Sequence, residues 1–111
     1  MTKLAPEVGL YANLHLFSDV EPYEIVRIIS DKTIELRSVT ATLKPDWKPD
    51  MIPGGFAAHT ANNHTQEYDY KTNPDAYVFK ARLRKKDGRF HSARGRHVVS
   101  EAPCKFHDYN F

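Results

Sequence analysis

The segment that most restricts the fold is AYVFKARLR, residues 76–84. Its apolar and basic side chains alternate, which is typical of a β-strand with one buried face. Asp87-Gly88 follows it and tolerates the positive φ of a tight hairpin turn, so residues 89–92 are expected to begin the return strand. The alternation assigns Tyr77, Phe79, Ala81 and Leu83 to the buried face and Lys80, Arg82 and Arg84 to the exposed face.

Two earlier segments also favour strands. Residues 23–30 are rich in β-branched side chains, residues 33–43 alternate apolar with polar ones, and the turn-like Ser30-Asp31-Lys32 lies between them. Together they predict a second hairpin. Residues 66–70 alternate again, whereas the apolar residues 8–17 are compatible with either a strand or a short helix.

These patterns predict one mostly β domain over residues 1–111, a twisted antiparallel sheet or a small open barrel built from hairpins. The aromatic tail with Phe106, Tyr109 and Phe111 is suited to covering a strand edge or a second copy of the chain. So many aromatic side chains in a small chain lead us to expect a homo-oligomer, a dimer or larger.

Composition restricts the location and the chemistry. A single cysteine, Cys104, excludes an internal disulfide and a multi-cysteine zinc site, and it fits a reducing cytoplasm. The sequence has neither an apolar run long enough for a membrane span nor the start of a signal peptide. His59 and His64 do not reproduce a zinc-ligand spacing, and hydrolase and phosphate-loop motifs are absent. We therefore expect no metal, no cofactor and no enzymatic activity.

Positive charge is concentrated near the end of the chain. Residues 80–111 carry nine Lys and Arg against three Asp and Glu, whereas residues 1–79 carry seven against eleven. Guanidinium groups bind phosphate oxygens in pairs, so such a cluster indicates a phosphate site, although a solvated strand face has the same pattern. Across the hairpin, Arg89 and His91 are expected on the same face as Arg82 and Arg84. The candidate phosphate ligands are Arg82, Arg84, Arg94 and Arg96.

A long irregular segment, residues 44–64, reads KPDWKPDMIPGGFAAHTANNH and lacks both helical and strand periodicity. Long loops in compact domains are often functional, which predicts a lid or pocket wall. Its aromatic residues either stack on a base or anchor the segment to the core, and its polar residues either recognise a nucleotide or stabilise turns. The candidate ligand contacts in it are Trp47, Phe56, His59, Asn62 and Asn63.

From residue 23 onward, the chain resembles a family of small proteins encoded by bacteriophages and prophages. The resemblance is carried by ATLKPDWKPDMIPGGFAAHTANNHTQEYDY, by NPDAYVFKARLRKKDGRF and by the closing YNF. It implies an accessory protein in the host bacterial cytoplasm and supplies no catalytic residues. Phage proteins of similar size counter host defence as oligomers that sequester cyclic nucleotides or cyclic ADP-ribose isomers, and that analogy suggests a counter-defence role.

Two functions of different classes follow as hypotheses. In the first, the protein binds and sequesters a small anionic nucleotide-like signalling molecule without catalysis. In the second, the basic last third of the chain contacts either the acidic surface of a host protein or nucleic acid, although the near-neutral net charge and the lack of a recognisable reading helix oppose nucleic acid. A phage structural or assembly protein is a third possibility, supported only by the expected oligomer.

Overall fold

The computed structural model describes residues 4–45, 47, 51–52, 59–60 and 66–107, with the backbone alone for 51–52 and 59–60. These ranges contain β-strands and no helix, and hence no helix capable of crossing a membrane. The strands are β1 (Tyr11–His15), β2 (Val20–Glu21), β3 (Tyr23–Ser30), β4 (Thr33–Leu43), β5 (Met51–Ile52), β6 (His59–Thr60), β7 (Tyr68–Thr72), β8 (Val78–Arg84), β9 (Arg89–Ser92) and β10 (Gly95–Ser100).

Six strands form a closed antiparallel barrel. β1, β3, β4, β8, β9 and β10 pair in that order, and five residue pairs between β1 and β10 close the ring. β2 pairs with the end of β1, and β7 pairs with the second half of β4. β5 and β6 form a separate two-stranded sheet. The predicted mostly β fold is confirmed, and closure leaves the six barrel strands without exposed edges.

Both predicted hairpins are confirmed. β3 and β4 have the predicted bounds, and their register runs from Tyr23 opposite Ser38 to Ser30 opposite Thr33. β8 and β9 pair up to Arg84 opposite Arg89, and Gly88 in the connecting turn has φ of 68°. Glycine reaches this left-handed conformation without the steric cost that a side chain imposes.

Alternating side chains of the barrel strands point inward and form the core. Their inward positions lie two residues apart, as the pleat of a strand requires. Leu10, Phe79, Leu83 and Val99 are half-buried and pack against this core. Its fully or nearly fully buried members are Ala12, Leu14, Tyr23, Ile25, Ile34, Leu36, Ala81 and Phe90.

The predicted start of β8 at Ala76 is wrong, because the strand begins at Val78. Tyr77 was expected on the buried face, but it precedes the strand and is 76% exposed. The Asn73-Pro74-Asp75 turn continues to Ala76, whose amide donates to the Asn73 carbonyl (3.1 Å), so that pairing with β4 begins only at Val78 opposite Arg37. The turn thus extends further along the chain than the alternation of residues 76–84 indicated.

The segment after β10 crosses the outside of the barrel and covers a strand edge, as predicted for Phe106. The backbones of Phe106 and Val20 exchange two hydrogen bonds of 2.9 Å beside β2. Further along β1, the buried Asn13 side chain donates to the Ala102 carbonyl (3.0 Å) and accepts from the Cys104 amide (3.1 Å). Tyr109 and Phe111 lie outside the described residues.

The Asn13 clamp supports a prediction about Cys104. Cys104 is solvent-exposed, and partial desolvation raises the pKa of its thiol. Asn13→Ala removes both hydrogen bonds to the segment and is expected to destabilise the fold by about 1–3 kcal/mol, because polar groups lose their partners. With the segment detached, the thiol pKa falls toward its ordinary value, and alkylation of Cys104 by iodoacetamide becomes faster at pH 7.5. An unchanged alkylation rate would show that Asn13 does not hold the segment.

Candidate anion-binding surface

Four basic side chains form a continuous row across the outside of the barrel. Arg82 on β8 lies opposite His91 on β9, and His91 lies opposite Arg96 on β10. Arg96 in turn lies opposite His15 on β1. Neighbouring strands are about 4.8 Å apart, so the three steps span about 14 Å. We call Arg82, His91, Arg96 and His15 the basic row.

The alternation of each strand explains why these side chains point outward. Ala81, Phe90, His97 and Leu14 are the chain neighbours of the row residues and are buried, with 0%, 4%, 0% and 3% exposure respectively. Since successive side chains of a strand point to opposite faces, the basic neighbours must lie on the outer face. The core residues of four strands therefore set the position of the row.

A second pair of arginines extends this surface. Arg84 lies opposite Arg89, two residues beyond Arg82 on β8 and before His91 on β9. The two pairs confirm the prediction that Arg89 and His91 share a face with Arg82 and Arg84. Like charges directly opposite each other on a sheet are destabilising, so this surface lowers the stability of the fold unless an anion is present.

Arginines on the other side of the barrel lie opposite carboxylates. On the β3–β4 hairpin, Arg37 lies opposite Glu24 and bonds to it at 2.6 Å, and Arg27 lies opposite Glu35 at 3.7 Å. By contrast, no carboxylate in the described part of the chain lies within 4.0 Å of the guanidinium nitrogens in β8, β9 and β10. The arginines concerned are Arg82, Arg84, Arg89 and Arg96.

Asp87, in the β8–β9 turn, brings a negative charge to one end of this surface. Its Oδ1 accepts from the Arg89 amide (2.9 Å), and its Oδ2 accepts from Nε2 of His91 (2.8 Å). The amide hydrogen bond, the contact with His91 and the charge of Arg84 hold the pKa of Asp87 below its usual value. Asp87 thus orients the His91 ring within the row and stays ionised at neutral pH.

The pKa of His15 responds to positive charge on two neighbouring arginines. Burial lowers the His15 pKa, and the positive charges of Arg96 and Arg89 lower it further. The imidazole therefore shares one electric field with arginines from two other strands. A bound anion would reduce that field and raise the His15 pKa.

Arg94 does not join the row. It lies in the β9–β10 turn, and its guanidinium carbon is 4.2 Å from the centroid of the Phe79 ring and 6.0 Å from that of Tyr23. Gly95 separates it from Arg96 with φ of 141°, which interrupts the strand alternation that would otherwise give both arginines the same orientation. A Cβ at Gly95 would also lie 3.3 Å from Leu14 Cδ1.

Behind the row, His97 is fully buried and has both ring nitrogens bonded. Nδ1 lies 2.9 Å from the Ala12 carbonyl oxygen, which only accepts, so Nδ1 carries the proton. Nε2 then accepts from the Ser92 hydroxyl at 2.8 Å, and Ser92 Oγ accepts from the Arg94 amide at 3.1 Å. This relay joins β9, β10 and β1 beneath the row.

His97 makes stability depend on pH. Burial lowers the His97 pKa, and the charges of His91, Arg94 and His15 lower it further, against the opposing effect of the Ala12 hydrogen bond. The unfolded chain therefore takes up a proton near pH 6.5 while the folded protein stays neutral to a lower pH. The free energy of unfolding should decrease as the pH falls below about 6.5. His15 acts in the same direction.

Urea denaturation between pH 5.5 and 7.5 measures this effect. His97→Gln should flatten the dependence of unfolding free energy on pH, even though the variant is less stable at pH 7.5. His107→Gln is the surface comparison, since His107 is exposed and its Nδ1 lies 3.5 Å from Asp19 Oδ2. If the unfolding free energy of the His97 variant and of the parent depends equally on pH, the buried neutral imidazole does not contribute to the pH dependence of stability.

Trp47, the candidate of the segment 44–64 whose side chain is described, lies apart from the row. Trp47 follows β4, and its amide donates to the Lys44 carbonyl (3.1 Å). Arg82 lies opposite Thr33, at the start of β4, and the ten residues from there to Leu43 span about 33 Å along the strand. Only the backbone of His59 is described, in β6. Phe56, Asn62 and Asn63 lie outside the described residues.

His15 is the row residue that the sequence did not indicate. Closure of the barrel places it beside Arg96, which is remote in the chain, and no local pattern encodes that contact.

Among the described residues, no group of three or more His, Cys, Asp or Glu side chains is arranged to hold a metal ion. No protein-family model, curated protein or solved structure matches the chain significantly.

Proposed function

We propose that the protein binds a phosphate-bearing, nucleotide-like anion on the basic row without transforming it. The observation that carries the proposal is the contrast between the two sides of the barrel: arginines of β3 and β4 face glutamates, whereas those of β8–β10 face other basic side chains, arginine or histidine. Guanidinium groups remain protonated at neutral pH, so they suit binding of an anion better than proton transfer. Arg82, Arg84, Arg89 and Arg96 are the proposed phosphate ligands.

The biological role in this proposal is sequestration of a nucleotide signal by a phage accessory protein that counters host defence in the bacterial cytoplasm. The support for the phage setting is the sequence resemblance described above. An inhibitor of a host protein is the alternative, since an acidic protein surface would also complement the row. Under the sequestration hypothesis a small anion alone stabilises the protein, whereas under the inhibitor hypothesis it does not.

A homo-oligomer is part of the proposal. Leu4 and Val8 are 40% and 65% exposed, which leaves apolar surface for a second copy. The length of β4 separates Trp47 from Arg82 within one chain, so stacking of Trp47 on a ligand held by Arg82 would require the Trp47 of a second copy. Light scattering coupled to size-exclusion chromatography, with and without ligand, tests this arrangement.

Thermal denaturation against a panel of anions tests the proposed function. The panel contains inorganic phosphate, pyrophosphate, cyclic mononucleotides and dinucleotides, ADP-ribose and its cyclic isomers, and glutamate as a carboxylate control. A ligand at a hundred times its Kd stabilises the fold by about 2.7 kcal/mol. We expect phosphate-bearing members to raise the Tm and glutamate to leave it unchanged. If no member shifts the Tm at low salt and a host protein forms a complex instead, the alternative replaces this proposal.

A further inference from the structure

The basic row is longer than a single phosphate group requires. It crosses four strands, β8, β9, β10 and β1, over about 14 Å, with Arg84 and Arg89 beside one half of it. A mononucleotide carries its charge on one phosphate and would occupy only part of the row. Several phosphates in succession would be needed to neutralise the four guanidinium groups of the row and of the adjacent Arg84–Arg89 pair.

The shape of the surface also favours a chain over a compact ligand. The row lies on the outer face of a closed barrel, and the residues behind it are core residues with no more than 4% exposure. A closed barrel is convex on the outside, so its outward side chains form a track that a flexible chain can follow. Binding on such a track depends on electrostatic contact with a linear polyanion.

An exposed aromatic side chain lies at one end of the row. Phe17 is two residues beyond His15, in the turn between β1 and β2, and is 93% exposed. Aromatic side chains beside a basic track are the combination with which proteins bind single-stranded nucleic acid, since the rings stack on bases and the basic groups contact phosphates. In a duplex the bases inside the helix are already stacked on one another, so only the two end pairs present a free face to Phe17.

We infer that the ligand class of the basic row is a single-stranded oligonucleotide with several consecutive phosphates, held by the row along its backbone and by Phe17 through one unstacked base. The inference rests on the proposed phosphate-binding function and narrows its ligand. It also assigns roles to His15 and Phe17, neither of which belonged to the arginine cluster seen in the sequence.

Fluorescence anisotropy with labelled oligothymidylates of increasing length, from a dinucleotide upward, tests the inference at low salt. Affinity should rise with each added phosphate and level off when the row is covered. The slope of log Kd against log salt should be about 0.7 per phosphate contact, and hence about 2–3 for the longer strands. Unlabelled cyclic mononucleotide, duplex DNA, inorganic polyphosphate and polyglutamate serve as competitors.

Phe17→Ala supplies the matched variant. It should weaken oligonucleotide binding at least about fivefold, the equivalent of stacking on one base, and leave polyphosphate binding unchanged. Tyr77→Ala is the control, because Tyr77 is also exposed but lies five residues before Arg82. Equal loss in the two variants would overturn the role of Phe17.

The outcomes separate this inference from the proposed function. If a cyclic mononucleotide binds as tightly as the longer strands, the inference fails and phosphate binding stands. If duplex DNA, polyphosphate or polyglutamate competes as well as the oligonucleotide does, the single-strand assignment is wrong. If no phosphate-bearing probe binds at low salt, the inference and the proposed function both fail.

Discussion

Replacement of Arg82 and Arg96 together by glutamine is expected to weaken binding of a phosphate-bearing anion by at least about a hundredfold. The two arginines lie on either side of His91 and account for half of the basic row. A hydrogen bond to a charged group contributes about 1.5–3 kcal/mol, and loss of two at an exposed surface amounts to about 3 kcal/mol, or two factors of ten in Kd. Isothermal titration calorimetry with pyrophosphate or an oligonucleotide measures the change.

A control variant with the same change in net charge tests whether the effect belongs to the site. Lys71→Glu also lowers the net charge by two, but Lys71 lies on β7 opposite Thr40, beside the second half of β4. We expect it to change the affinity less than about threefold, since charges beyond a Debye length of about 10 Å are screened. Equal weakening by both variants would attribute binding to net charge and refute a localised site.

The double variant should also be more stable than the parent in the absence of ligand. Arg82 and Arg96 are both diagonal neighbours of Arg89 across a strand pair, and like charges at neighbouring positions of a sheet are unfavourable. Removal of this repulsion between guanidinium groups contributes about 0.2–1 kcal/mol. A stability gain together with a binding loss is the signature of a surface kept for function, whereas a purely structural role would lose stability.

Leu36→Ala is expected to lower the free energy of unfolding by about 2–5 kcal/mol, a large part of the roughly 5–15 kcal/mol available to a domain of this size. Leu36 has no solvent exposure and lies between Ile25 on β3 and Phe79 on β8 in the barrel wall. Truncation leaves a cavity among residues of three strands, and a closed barrel cannot collapse to fill it. Urea denaturation should show a lower midpoint with an unchanged m-value.

Val78→Ala is the companion variant. Val78 lies on the neighbouring strand but is 39% exposed, so its truncation creates no enclosed cavity. We expect a loss below about 1 kcal/mol. If Leu36→Ala costs no more than Val78→Ala, the barrel interior is not the main source of stability.

Strand positions and hairpin turns were predictable because they depend on neighbouring residues. The alternation from Phe79 to Arg84 separates a buried face from a basic one, and the structure has the same separation. Gly88 in the β8–β9 turn and the bounds of β3 and β4 also follow from local patterns. The start of β8 was misplaced where the turn after Asn73 overrode the alternation.

The composition of the basic row was only partly predictable. Arg82 and His91 belong to one hairpin, so their shared face follows from the sequence between them. His15 enters the row through pairing of β1 with β10, a contact between distant parts of the chain whose register depends on closure of the ring. A period-two pattern identifies which face a residue occupies but not which strand lies beside it.

The separation of Arg94 from Arg96 has the same kind of origin. The RGR motif has both arginines two residues apart, which in a continuous strand would give them one face. Local patterns thus specify the strands, their turns and the inward or outward orientation of each side chain. The closed ring determines which outward side chains lie next to one another. The Gly95 backbone turns Arg94 away from Arg96 and toward Phe79. Local patterns do not encode these contacts, because they depend on packing between segments that are far apart in the chain.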